Sequence, residues 1–83
     1  MAAEYETIRI DKKGSVDWLT LNRPDSLNAI TTQMVGELSD YFGRLYHDRD
    51  TRIVVMRGAG KAFCAGLDLK EHRPNEGADG PFG

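Results

Sequence analysis

The chain has 83 residues, with 11 lysine and arginine residues against 13 aspartate and glutamate residues and a single cysteine. That near-neutral balance, without a basic run, excludes a charged nucleic-acid surface, the lone thiol excludes an internal disulfide or a cysteine-rich metal framework, and no apolar stretch reaches the roughly 18 residues of a membrane span. One small domain of this length buries only about 60–65% of its extended surface, so it is marginal without a partner, and one unpaired thiol suits a reducing cytosol.

The acidic start Met-Ala-Ala-Glu-Tyr-Glu has no apolar core of a signal peptide, so none is expected. Residues 5–10 alternate Tyr5, Thr7 and Arg9 with Glu6, Ile8 and Ile10, which predicts a strand. Asp11-Lys12-Lys13-Gly14 is polar, ends in glycine and predicts a hairpin loop. Residues 15–22 alternate Val16, Trp18 and Thr20 with Asp17, Leu19 and Leu21, a half-buried strand antiparallel to the first, in which Trp18 is a packing residue. Pro24 stops that strand, because it lacks a ladder donor and restricts the residue before it. Leu27-Asn28-Ala29-Ile30 then reads as an irregular apolar connector.

Thr31 or Thr32 suits the cap of the next helix, since a hydroxyl can accept from a free amide one turn on. Met34, Leu38, Tyr41, Phe42 and Leu45 make one apolar stripe on about four turns, with Glu37, Asp40, Arg44 and Asp48 on the solvated face. Gly36 and Gly43 weaken that helix and allow close backbone approach. His47-Asp48-Arg49-Asp50 is read as a solvated turn rather than a metal site, because adjacent side chains diverge at a helix end. Ile53 to Met56 is a short β-branched run, expected as a strand covered on both faces. Residues 74–83 carry two prolines and three glycines, and are expected as a loop or frayed end following a unit of residues 1–73.

The stretch after that buried strand carries the chemistry. Gly58-Ala59-Gly60-Lys61 resembles a phosphate loop only superficially: Val55 occupies the position of the first glycine and Ala62 that of the magnesium-binding hydroxyl, while Phe63 replaces the third glycine of a dinucleotide fingerprint. Cys64 has no base placed beside it and is expected as a small, partly buried core residue. Gly58 and Gly60 allow a sharp exit from the strand, and Ala65-Gly66 leaves the main chain open to a ligand. From Leu67 onward a helix start is expected, whose first amides have no partner and can receive a developing negative oxygen. Asp68 and His72, four apart, would form a solvent-facing pair on that helix.

Leu21-Asn22-Arg23-Pro24…Leu27-Asn28-Ala29 followed by Gly58-Ala59-Gly60-Lys61-Ala62-Phe63-Cys64-Ala65-Gly66-Leu67-Asp68-Leu69 resembles the enoyl-CoA hydratase/isomerase (crotonase) superfamily, over nearly the whole chain. The resemblance implies an α/β fold, the N-terminal part of a crotonase-like ββα spiral, in a homotrimer or a dimer of trimers. It implies that Ser26, Leu27 and Ala29 line a coenzyme A channel and that Ala65, Gly66, Leu67, Asp68 and Leu69 hold the adenine end and the thioester. It also implies that the Leu67 backbone N–H is one of two oxyanion-hole donors. Leucine where many relatives carry alanine would reshape the acyl pocket, and Asp25 stands where relatives often place a basic residue near the coenzyme's phosphates.

Members of that superfamily are much longer, and their second donor and proton-handling carboxylates come from later segments. The expectation is therefore the N-terminal portion of an enzyme acting on acyl-CoA thioesters, an enoyl-CoA hydratase or isomerase, with the 83-residue chain inactive by itself. No metal and no cofactor beyond the coenzyme A of the substrate is expected, and the partner is the remainder of the enzyme or a complementing chain. The alternatives are a catalytically silent coenzyme A-binding module and a subunit-interaction module.

Overall fold

The computed structural model describes residues 5–70. Two strands, β1 (Ile8–Lys13) and β2 (Val16–Leu21), form an antiparallel hairpin with Ile8 opposite Leu21 and Lys13 opposite Val16. Only Gly14 and Ser15 connect them, and Gly14 takes φ 61°, as the first central position of a type II′ turn requires. The strand expected over residues 5–10 thus begins later and runs on through Asp11, Lys12 and Lys13, whose polarity suggests a loop. That polarity reflects an edge strand facing solvent, where charged side chains are tolerated.

A helix, α1 (Thr32–Leu45), crosses one face of the hairpin and returns the chain to β3 (Ile53–Gly58), which pairs parallel with β2 from Val16 opposite Ile53 to Leu21 opposite Gly58. Parallel pairing requires such a crossover. The sheet order is β1-β2-β3. Of the two candidate caps Thr31 serves: its hydroxyl accepts from the Met34 N–H at 3.1 Å.

Burial follows the alternation. Leu19 and Leu21 point with Ile8 toward Met34 and Tyr41, and Leu38, Leu45, Val54 and Cys64 pack around that centre. Leu19 and Met34 are fully buried, so truncating either to alanine removes about 2–5 kcal/mol. Cys64 is the half-buried packing residue expected from the sequence. Trp18 lies on the opposite face of β2, half-buried, with the Arg57 guanidinium carbon 5.1 Å from its ring centroid.

Four expectations about the helix and β3 are corrected. Phe42 is 43% exposed, edge-on to Tyr41 at the margin of the stripe rather than within the core. Gly36 and Gly43 have open space where a Cβ would sit, so the close approach they allow is not used by the described residues. Glu37 and Asp40 are not merely solvated. Glu37 accepts from the Glu6 and Thr7 N–H groups and the Thr7 hydroxyl at 2.7–3.1 Å, and Asp40 accepts from the Tyr5 hydroxyl at 2.7 Å, tying α1 to the segment before β1. Finally, β3 is not covered on both faces by the described residues. It pairs only with β2, and Ile53, on the face that α1 does not shield, and Met56, on the α1 face beside Leu19, are both exposed.

Asp17 lies on the covered face, almost wholly buried. The Lys12 ammonium donates to it at 2.7 Å and the Tyr41 hydroxyl at 2.6 Å. Burial works to raise its pKa, but the Lys12 and Tyr41 hydrogen bonds prevail and hold the carboxyl below its usual value.

Candidate functional site

Two segments meet beyond the ends of β2 and β3. After Leu21 the chain makes one 3-10 turn over Pro24–Ser26, then places two successive residues in the left-handed region, Leu27 at φ 52° and Asn28 at φ 56°. Asparagine tolerates this region and leucine does so at a cost. Asn28 is fully buried with its carboxamide satisfied. Its Oδ1 accepts from the Arg23 N–H at 2.7 Å, and its Nδ2 donates to the carbonyls of Ala59 at 2.9 Å and Ala62 at 2.8 Å.

Those carbonyls belong to the loop leaving β3. That loop folds back over Gly58, where a Cβ would overlap the main-chain oxygens of Ala62 and Phe63. Gly60, at φ 79°, lies against Pro24 of the first segment, whose Cβ would stand 3.1 Å from a Cβ at 60. The sharp exit expected at these two glycines is therefore present, with a steric reason at Gly58 and a conformational one at Gly60.

From Ala65 the second segment runs beside the first. The Ala65 N–H donates to Leu27 O at 3.0 Å, the Ile30 N–H to Gly66 O at 2.7 Å, and the Asp68 N–H to Ile30 O at 2.9 Å. Ile30 and Leu67 form an isolated parallel bridge. Leu67 is thus extended, which corrects the expectation of a helix start there; only a turn follows at Leu69 and Lys70, and Glu71 and His72 lie outside the described residues. The extended conformation still leaves a donor open. Successive peptide groups of a strand point to opposite sides, so the Leu67 N–H faces away from Ile30, and it has no hydrogen-bond partner among the described residues.

A cleft of about 430 Å³ separates the two segments, with Arg23, Asp25, Ser26, Leu27 and Ala29 on one side and Asp68, Leu69 and Lys70 on the other. Ser26, Leu27, Ala29, Asp68 and Leu69, all expected at the site, line it directly. Ala65, Gly66 and Leu67 lead into its second wall. Arg23 braces the walls: its guanidinium donates to Ala29 O at 2.6 Å, to the Ser26 hydroxyl at 3.4 Å and to the Asp68 carboxylate at 3.2 Å. Asp68 is held below the usual carboxylate range, chiefly by the Lys70 N–H that it accepts, with Arg23 adding to it. Among the described residues its ion-pair partner is Arg23, and the neighbour expected at position 72 lies outside them.

Sequence reasoning singled out the segments but gave Arg23 and Asn28 no role. The available signal was chemical: asparagine is among the few residues that accept a left-handed backbone, and an arginine before proline and an aspartate after glycine are complementary charges. A second hollow of about 330 Å³ lies between β1 and α1, and the cations on its rim are paired, Arg9 with Asp11, Lys12 with Asp17 and Arg44 with Asp40. Among the described residues no cluster of metal-ligating side chains occurs, and no helix is long and apolar enough to cross a membrane.

Comparison with known proteins places this arrangement. Residues 16–80 match the family model described as enoyl-CoA hydratase/isomerase. A probable enoyl-CoA hydratase of Mycobacterium bovis is 40% identical over 67 residues, covering 81% of this chain and 26% of that protein. The 3-hydroxyisobutyryl-CoA hydrolase 1 of Arabidopsis thaliana is 39% identical over 67 residues, 81% of this chain and 18% of that protein. Among solved structures, Pseudomonas aeruginosa AtuE superposes with a TM-score of 0.81 at 40% identity, covering 90% of this chain and 29% of that one. A monofunctional enoyl-CoA isomerase from M. smegmatis gives 0.70 at 31% identity, covering 76% of this chain and 31% of that one. The chain spans about a quarter of the length of the curated relatives it matches.

Proposed function

Because the chain belongs to the enoyl-CoA hydratase/isomerase family of the crotonase superfamily, we propose that it is the acyl-CoA-binding, N-terminal portion of such an enzyme, with the Leu67 N–H as one of two donors to the thioester oxygen. The observation that carries this reading is the open Leu67 N–H, held by the Ile30 bridge beside the cleft. When an α-proton leaves, or a nucleophile adds to the β-carbon of an enoyl thioester, charge gathers on the carbonyl oxygen. One preorganised donor at that oxygen is worth about 2.7–4 kcal/mol of barrier.

Ser26, Leu27 and Ala29 would then contact the coenzyme on one wall, and Ala65, Gly66, Asp68 and Leu69 would carry its adenine end and the thioester on the other. Coenzyme A enters as part of the substrate and no further cofactor is needed. The second donor and the carboxylates that move protons would come from the part of the relatives' length that this chain does not span, and the surfaces of a homotrimer or hexamer with them. The reading also fits a cytosolic protein acting in fatty acid metabolism. Hydratase and isomerase chemistry share the enolate, and both kinds of protein occur among the relatives.

The test is titration of the chain with coenzyme A and a short acyl-CoA by calorimetry, with the Leu67 amide followed by NMR. The expected result is weak binding, a shift of the Leu67 amide with the acyl-CoA but not with coenzyme A alone, and no hydration of a short enoyl-CoA. Failure of any acyl-CoA to bind would remove the substrate assignment. Binding that leaves the Leu67 amide unmoved would remove the donor role, and appreciable hydration would show that no further segment is required.

A further inference from the structure

The geometry points to Asn28 as the positioning residue of the oxyanion donor: its buried carboxamide sets the path of the loop after β3 and so the place of the Leu67 N–H. This rests on the proposed role of that N–H. Three observations converge on it. Among the described residues the carboxamide makes hydrogen bonds only to main-chain atoms, one at Arg23 and two at Ala59 and Ala62, so it joins the segment after β2 to the loop after β3 and is not among the residues lining the cleft. Its left-handed backbone, following a left-handed leucine, goes with a Leu27 carbonyl that meets the Ala65 N–H. The bonds at Ala65, Ile30 and Asp68 then lie in direct succession, ending on both sides of Leu67. A side chain that replaces three water contacts with three protein bonds in a dry site is expensive to alter, and its loss releases every later link.

Aspartate at this position keeps the acceptor for the Arg23 N–H and the tolerance for positive φ, but turns an oxygen toward the Ala59 and Ala62 carbonyls. Glycine keeps the backbone freedom and removes the clamp. Amide hydrogen exchange on the full chain separates local positioning from general stability. With Asn28→Asp and Asn28→Gly, the Ala65, Ile30 and Asp68 amides should exchange roughly tenfold faster or more, while the β1–β2 ladder and the interior of α1 keep their protection. Unchanged protection at those three amides would overturn the inference. Uniform loss across the sheet and α1 would also overturn it, by making Asn28 a general stability residue. The acyl-CoA titration is scored separately: if the unaltered chain bound no acyl-CoA, the functional reading would fail while the exchange result still decided what Asn28 positions. If the unaltered chain binds, the variants should retain affinity for coenzyme A and lose the acyl-dependent shift of the Leu67 amide, a split that a purely structural role would not produce.

Discussion

Gly58 shows how one missing side chain shapes the site. The loop after β3 returns so closely that a methyl group at 58 would stand 2.5 Å from the Phe63 carbonyl oxygen, and the obstructing atoms are backbone, which cannot rotate aside. Gly58→Ala is therefore expected to destabilise the chain by about 3 kcal/mol or to force the loop away from Asn28. Urea unfolding measures the first outcome, and loss of exchange protection at Ala65 the second; a variant indistinguishable in both would contradict the close approach. Leu67 makes a different residue-scale point. Its side chain is replaceable as far as the donor is concerned, because the donor is main chain. The open N–H belongs to the position, and the position is set by residues distant in sequence.

At the scale of elements, α1 carries two glycines that no other described residue packs against. Beyond its own stretch of helix, a Cβ added at Gly36 or Gly43 would meet no atom of the described residues within 4 Å, and neither residue has a positive φ. Each Gly→Ala change there should stabilise the chain by about 0.5–1 kcal/mol through helix propensity and a less flexible unfolded state. Thermal melts of the single and double variants check this, and a loss of stability in either would mean that something packs closely on that helix face. Carboxylates fix the helix and the turn after it, beside the packed stripe. Glu37 grips the backbone before β1, and Asp48, just past the helix, accepts the Thr51 hydroxyl at 2.6 Å and the N–H groups of Asp50 and Thr51 at 2.7 and 3.0 Å.

Those carboxylates give the whole molecule an acid limit. Hydrogen bonds from Thr51 and from the Asp50 N–H lower the Asp48 pKa to about 2. Asp17 and Glu37 are also lowered, against the opposing effect of their burial. A carboxyl depressed in the folded state stabilises fully above its unfolded pKa of about 4, and that contribution disappears as pH falls through the folded value. Stability should accordingly hold near neutral pH and decline between about pH 4 and pH 2, with a shallower decline in Asp48→Asn. Chemical unfolding across that range decides it; equal slopes in the two proteins would mean that Asp48 does not carry the effect. Also at this scale, exposed Ile53 and Met56 on β3, together with Val35, Phe42 and Tyr46 outside the packed stripe of α1, leave apolar surface that the described residues do not cover.

By itself, the order of residues determined the parts that depend on near neighbours: two alternating strands, an amphipathic helix capped by a threonine, a β-branched strand, glycine exits after it, and the paired motifs that resemble the family. Period, capping and turn chemistry are local, so they are legible in a single chain. Tertiary structure decided what depends on partners far away in sequence. Residues 11–13 became strand because Trp18, Asp17 and Val16 pair with them across a two-residue turn. Leu67 became an extended bridge because Ile30 lay alongside to accept the Asp68 N–H, so its open donor arises from strand geometry and not from a helix start. Asn28 became a clamp only once Ala59 and Ala62 turned their carbonyls toward it. A hydrogen bond between residues some thirty positions apart leaves no periodic trace in the sequence, and that is why the segments lining the cleft were readable while the geometry joining them was not.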